Sequence, residues 1–229
     1  MSTLLIVDGS DVCRAPIVEF ALRKQFAGES PLADVVVASR GLDTDDGQPV
    51  CDLAAGRLGG SARASAFSDA HRSVRLTHFD ANEADLILTA ERAHRSAVAR
   101  LAPHARARSF TLKEALVLAT VLADEVRTGR TRRPRSLAET VDLLHEVRGA
   151  IPLIEPPMNT NVFHRDRALP KADPLALVDG HEDAALHRHA TDEAYQVALT
   201  LGARLVDLAE DPMARIGAAP NDWWWRQHA

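Results

Sequence analysis

Cysteine, lysine and aromatic residues are all scarce in this chain, and each scarcity excludes something. Two cysteines, Cys13 and Cys51, in 229 residues are too few for a disulfide scaffold, so a reducing cytoplasm is the expected setting. Lysine occurs only at Lys24, Lys113 and Lys171, and the formal net charge is −5. A nucleic-acid partner would need a basic face, and none is expected here. The one basic run, residues 127–135, reads as a solvated loop between helices. No long apolar run is present, and the N-terminus lacks a basic segment followed by an apolar core. Neither a membrane span nor a signal peptide is therefore expected. Aromatic residues make up 4% of the chain, so the consecutive Trp223, Trp224 and Trp225 stand out. They either fold back on the domain or form a patch for a partner or for self-association.

What is present is an ordinary apolar content of 46%, enough for one α/β domain over 1–212 and a Trp-rich tail over 213–229. Short apolar runs bounded by turn residues predict buried parallel strands at 4–7, 34–39, 85–89 and 108–111. Helical patterns follow from Pro16, where Ile17, Phe20 and Ala21 form a stripe, and at 50–58, 91–101 and 113–127. Further helices are predicted at 136–147 and 182–210, the last with Ala194, Val197, Ala198, Leu201, Leu205 and Leu208 on its apolar face. Residues 151–170 are proline-rich and read as irregular. The alternation predicts a four-stranded parallel sheet with helices on both faces and a helical insertion over about 116–170. Ligands bind such sheets at the carboxyl ends of the strands, which directs attention to the loop after the first strand.

That strand, loop and helix read LLIVDGSDVCRAPIVEF. The run resembles the phosphate-binding loop of low-molecular-weight protein tyrosine phosphatases and their arsenate reductase relatives, Cys-x-Gly-Asn-x-Cys-Arg-Ser-Pro. Aligned without gaps, Cys13, Arg14, Pro16 and Glu19 match, whereas Asp8 stands at the nucleophilic cysteine. Ser10 replaces the glycine, Asp11 the asparagine and Ala15 the serine. Ser39-Arg40-Gly41 is similar to the family's Ser-Ala-Gly, and 71–103 to its central segment, especially in the actinobacterial branch. Residues 109–115 also fit, and Asp173-Pro174 falls where the family carries its general acid. Leu175 and Ala176 stand where an aromatic residue would follow.

The resemblance implies catalytic positions at Asp8, Arg14 and Asp173, and an anion-binding loop of Gly9, Ser10, Asp11, Val12, Cys13 and Arg14. In the family a thiolate attacks phosphorus, with its charge supported by loop amides, a helix N-terminus and the arginine. Asp8 supplies no thiolate, and Asp11 adds a second negative charge. A like-charge pair at about 4 Å costs roughly 4 kcal/mol at an effective dielectric near 20, so weak phosphate binding is expected. We expect Asp8 to accept the loop N–H groups and the Arg14 fork, as a tethered mimic of phosphate. The leading expectation is thus a noncatalytic or strongly impaired member of that family, binding a protein or small-molecule ligand at the 8–14 cleft without a cofactor. One alternative is a phosphohydrolase using Asp8, with Mg²⁺ on Asp8 and Asp11 and with Asp173 as acid. Another is a specialised biosynthetic enzyme using the same cleft. Cys13 is expected to be a buried structural thiol. His164, His181, His187 and His189 are expected to be surface or capping residues.

Overall fold

In the computed structural model the described residues are 2–28, 30–149, 173–180 and 183–210. Four parallel strands form the sheet: β1 (Thr3–Asp8), β2 (Val36–Gly41), β3 (Leu86–Thr89) and β4 (Ser109–Thr111). Their order is β2-β1-β3-β4, so β1 is central, with Asp8 opposite Gly41 and Val7 opposite Thr89. This agrees with the expected four-stranded parallel sheet. The apolar run of β1 is buried throughout because both faces of the sheet are covered. On one face Leu4, Ile6, Leu86, Leu88 and Phe110 pack in a large core with helical residues such as Ile17, Leu118 and Leu201. On the other, Leu5, Val7 and Ile87 pack in a smaller core with Ala81 and Val98.

The helices are α1 (Arg14–Gln25), α2 (Asp52–Leu58), α3 (Ala62–Ala70), α4 (His78–Glu83), α5 (Arg92–Leu101), α6 (Leu112–Arg127), α7 (Leu137–Arg148) and α8 (Ala184–Ala209). The stripe of α1 is buried as its spacing predicts. Helix α8 buries Ala194, Ala198, Leu201, Leu205 and Leu208 and packs on α1 and α6. Gly202 permits the close approach: a Cβ there would lie 2.9 Å from Gln25 Cγ. Two helices, α3 and α4, and a 3-10 turn at Pro103–Arg108 were not expected, since none carries a clear apolar stripe. Their caps do the specifying. Ser61 Oγ accepts from Ala64 N at 3.2 Å, and Thr77 and Asp80 form a capping box.

The first part of the expected insertion is helical and belongs to the core. Helix α6 buries Leu118, Ala119 and Leu122, and α7 buries Val141, Leu144 and Val147. The proline-rich stretch, His164, His181 and the Trp223–Trp225 tail lie outside the described residues. Among the described residues no helix is long and apolar enough to cross a membrane.

Candidate functional site

Strand β1 delivers Asp8 to the carboxyl edge of the sheet, and α1 begins six residues later. The first amides of a helix have no intrahelical partner, and the residue at this N-cap, Cys13, makes no side-chain cap. Asp8 fills the role from a distance. Its Oδ2 accepts from Ala15 N at 3.1 Å and its Oδ1 from Asp11 N at 2.6 Å. The residue is 1% exposed. A carboxylate of the chain therefore sits on the amides and the positive end of the α1 dipole, the place where such a loop holds an anion. The expected acceptance of loop N–H groups is what the structure has.

Arg14, the other expected partner of Asp8, points elsewhere. Its Nη1 donates to Glu91 Oε1 at 2.9 Å and to the carbonyls of Leu177 and Val178 at 3.3 and 3.4 Å. Its Nη2 reaches Asp179 Oδ2 at 3.4 Å. Among the described residues no hydrogen bond joins Arg14 to Asp8, and Arg14 Nε has no partner. The reason is local. The 173–180 segment lies along the end of β3, with Leu177 N on the carbonyl of Ala90 at 2.9 Å, and it offers carbonyls and a carboxylate to the guanidinium. Two carboxylates thus oppose the one buried cation of the loop. His94 stands over Gly9, where a Cβ would lie 3.9 Å from its Nε2. Burial holds the His94 imidazolium below its ordinary range, against the pull of Glu91.

Asp11 is fully buried with φ at 56°, a left-handed conformation that Asp and Asn tolerate best among side chains other than glycine. Its Oδ2 accepts from Val74 N at 3.1 Å, and its carbonyl meets His71 Nε2 at 2.9 Å. Its Oδ1 has no hydrogen-bond partner among the described residues. Burial pushes its carboxyl up to about 6, against the pull of the Ser39 hydroxyl, the Val74 amide and His71. Behind it, Ser39 Oγ donates to Glu19 Oε2 at 2.6 Å, and Glu19 also pairs with Arg23 at 2.7 Å. Gly41 is required beside the loop, because a Cβ there would lie 2.7 Å from Thr44 Cγ2 and 3.0 Å from the backbone of Ser10.

Asp173 is held away from these groups. Its Oδ2 pairs with Arg92 Nε at 3.0 Å, and its Oδ1 accepts from Leu175 N at 3.0 Å. As for a cation on Asp8 and Asp11, three of their four oxygens are already taken by backbone amides. The cavity touching both Asp8 and Arg14 measures about 10 Å³ and is otherwise lined mostly by apolar residues such as Ile6, Val18 and Leu112. That is about the space of one water, well short of a phosphate.

Two expectations about sulfur and imidazole need correction. Cys13 is not a free thiol: it is disulfide-bonded to Cys51, with Cα atoms 5.8 Å apart. Cys51 is carried there by its own amide, which bonds the carbonyl of Val12 at 2.8 Å. His187 is not simply a surface or capping residue. Its Nε2 lies 3.0 Å from Cys13 Sγ and 3.6 Å from Cys51 Sγ. Sequence reasoning also missed Glu91, Asp179, His94 and His71, which reach the loop only through tertiary packing.

This sheet order, with the first strand feeding a loop that wraps an anion at a helix N-terminus, is the fold of the low-molecular-weight protein tyrosine phosphatases. No protein-family model and no curated protein matches the sequence, but solved structures do. A YwlE mutant from Bacillus subtilis is 17% identical, with a TM-score of 0.55 over 90% of this chain and 99% of that one. A low-molecular-weight protein tyrosine phosphatase from Bacillus subtilis is 19% identical, with a TM-score of 0.53 over 89% and 96%. The tyrosine phosphatase Wzb from Escherichia coli K30, in complex with sulphate, is 16% identical, with a TM-score of 0.52 over 90% and 96%. Likeness at these identities fixes the fold.

Proposed function

We propose that this chain is an actinobacterial-type relative of the low-molecular-weight phosphatases that has given up phosphoryl transfer and works as a binding or regulatory module through the 8–14 cleft. The observation that carries the reading is the Asp8 carboxylate seated on the amides of Asp11 and Ala15. A phosphate dianion would have to displace that carboxylate and then pass Glu91 and Asp179, which already share Arg14. Glu91 and Asp179 hold the guanidinium and Asp8 lines the same cavity, so the cleft favours a neutral or cationic group over an oxyanion. The setting that goes with this reading is the cytoplasm, where reducing thiols would act on the Cys13–Cys51 bridge.

The test is para-nitrophenyl phosphate turnover, measured with and without Mg²⁺. The reading expects none above background in either case. Turnover that needs Mg²⁺ and vanishes in Asp8→Asn would overturn it in favour of an aspartyl nucleophile.

A further inference from the structure

Three elements distant in sequence bring soft ligands to one point. Cys13 lies at the end of the loop before α1, Cys51 at the N-cap of α2, and His187 in the first turns of α8. Cys13 Sγ, Cys51 Sγ and His187 Nε2 all lie within 4.8 Å of one another. A disulfide has no need of an imidazole nitrogen against both sulfurs, yet His187 approaches one at 3.0 Å and the other at 3.6 Å. In tetrahedral zinc coordination, bonds of about 2.3 Å to sulfur and about 2.0 Å to nitrogen place the two ligand atoms about 3.5 Å apart. The nitrogen is therefore already near the required separation from both sulfurs. Only the sulfur pair must open, to about 3.8 Å on the same geometry.

We propose that the reduced protein binds one borderline-soft divalent cation such as Zn²⁺ through Cys13, Cys51 and His187, and that oxidation to the disulfide closes the site. The chemistry balances with a dithiol reductant. The reductant supplies two electrons and two protons, the S–S bond breaks to give two thiols, and the reductant becomes its own disulfide. Zinc then replaces both thiol protons, which pass to solvent, and takes the lone pair of neutral His187. Three protein ligands leave a fourth position for water or for a donor from a bound ligand. The site does not depend on Asp8 or Arg14. It would pin α8 and α2 to the loop before α1, so cation binding and disulfide formation become alternative clamps at one point.

Cobalt gives the decisive readout, because Cys13 and Cys51 are the only cysteines in the chain. Any thiolate-to-cobalt charge-transfer band in the near ultraviolet must come from them, and intense tetrahedral bands in the visible report the geometry. The full-length protein, reduced with an excess of a non-chelating phosphine and then desalted anaerobically, should take up one Co²⁺ per chain with both features, and Zn²⁺ should displace it. Protein left oxidised should bind none. His187→Gln should weaken Co²⁺ affinity at least tenfold while leaving the thermal melt of the oxidised protein within a few degrees. Cys51→Ser should abolish the two-thiolate spectrum. The inference is overturned if reduced wild-type protein shows no charge-transfer band, or if His187→Gln binds Co²⁺ with unchanged affinity and spectrum. A band of the same intensity in Cys51→Ser would overturn it as well.

Discussion

Removing the Asp8 carboxylate should cost stability and at the same time create a phosphate site. In the folded protein its two oxygens accept from Asp11 N and Ala15 N in a fully buried setting. Hydrogen bonds to a charged acceptor contribute roughly 1.5–3 kcal/mol each, so Asp8→Ala forfeits about 3–6 kcal/mol of gross interaction. Water entering the vacated loop returns part of this, and so does relief of the Asp8–Asp11 repulsion. We expect a net loss of about 2–3 kcal/mol, which for a chain of this size lowers Tm by about 5–10 °C. The empty amides at the α1 N-terminus then suit an oxyanion. Inorganic phosphate at 50–100 mM should raise the Tm of Asp8→Ala and leave wild-type protein unmoved at matched ionic strength, because a ligand stabilises only the state that binds it. Differential scanning fluorimetry across a phosphate series, with sodium chloride as control, makes the comparison. Equal phosphate stabilisation of the two proteins, or an Asp8→Ala variant as stable as wild type, would refute the reasoning.

Asp11 provides a pH test. Its carboxyl is raised from 3.8 to about 6 by burial, so between those values the folded state holds more protons than the unfolded state. Stability then falls as pH rises through that window, by on the order of 3 kcal/mol at most for a shift of this size. Asp11→Asn, which suits the left-handed backbone, should therefore be more stable than wild type at pH 7 and lose that advantage near pH 4, as denaturant melts across pH would record. Glu91→Gln releases Arg14 from its 2.9 Å ion pair. It should raise anion affinity in an Asp8→Ala background several-fold by calorimetry, with little effect when Asp8 is intact. Restoring Asp8→Cys, Asp11→Asn and Ala15→Ser together should give measurable para-nitrophenyl phosphate turnover, and adding Glu91→Gln should increase it. Gly41→Ala drives a Cβ against Thr44 and the Ser10 backbone, and overpacking of this kind should cost about 1–3 kcal/mol in chemical denaturation.

Much of the scaffold is legible in the sequence because burial on both faces leaves an unbroken apolar run, as at Leu4–Val7 and at Leu86–Leu88. Helices α3 and α4 are less so. Their specification lies in single capping side chains, and at most one residue of each is fully buried. Strand β2 starts later than its apolar run, since Asp34 and Val35 belong to the preceding turn. At the site, Asp8 on the loop amides is legible through the resemblance of the 8–16 run to a phosphate-binding loop, because residues 8, 11 and 15 belong to one short loop and helix start. The destination of Arg14 does not. Glu91 and Asp179 are 77 and 165 residues away, and only the packing of the 173–180 segment on β3 brings them to the guanidinium. The Cys13–Cys51–His187 convergence is equally non-local, although the presence of just two cysteines could have prompted the pairing.

A crystal structure of the wild-type protein grown in high phosphate or sulfate addresses Asp8 most directly. It should show the Asp8 carboxylate on the amides of Asp11 and Ala15, Arg14 on Glu91, and no oxyanion in the loop. An oxyanion on those amides, with Asp8 displaced and Arg14 swung away from Glu91 to grip it, would mean that the loop is a working phosphate site after all.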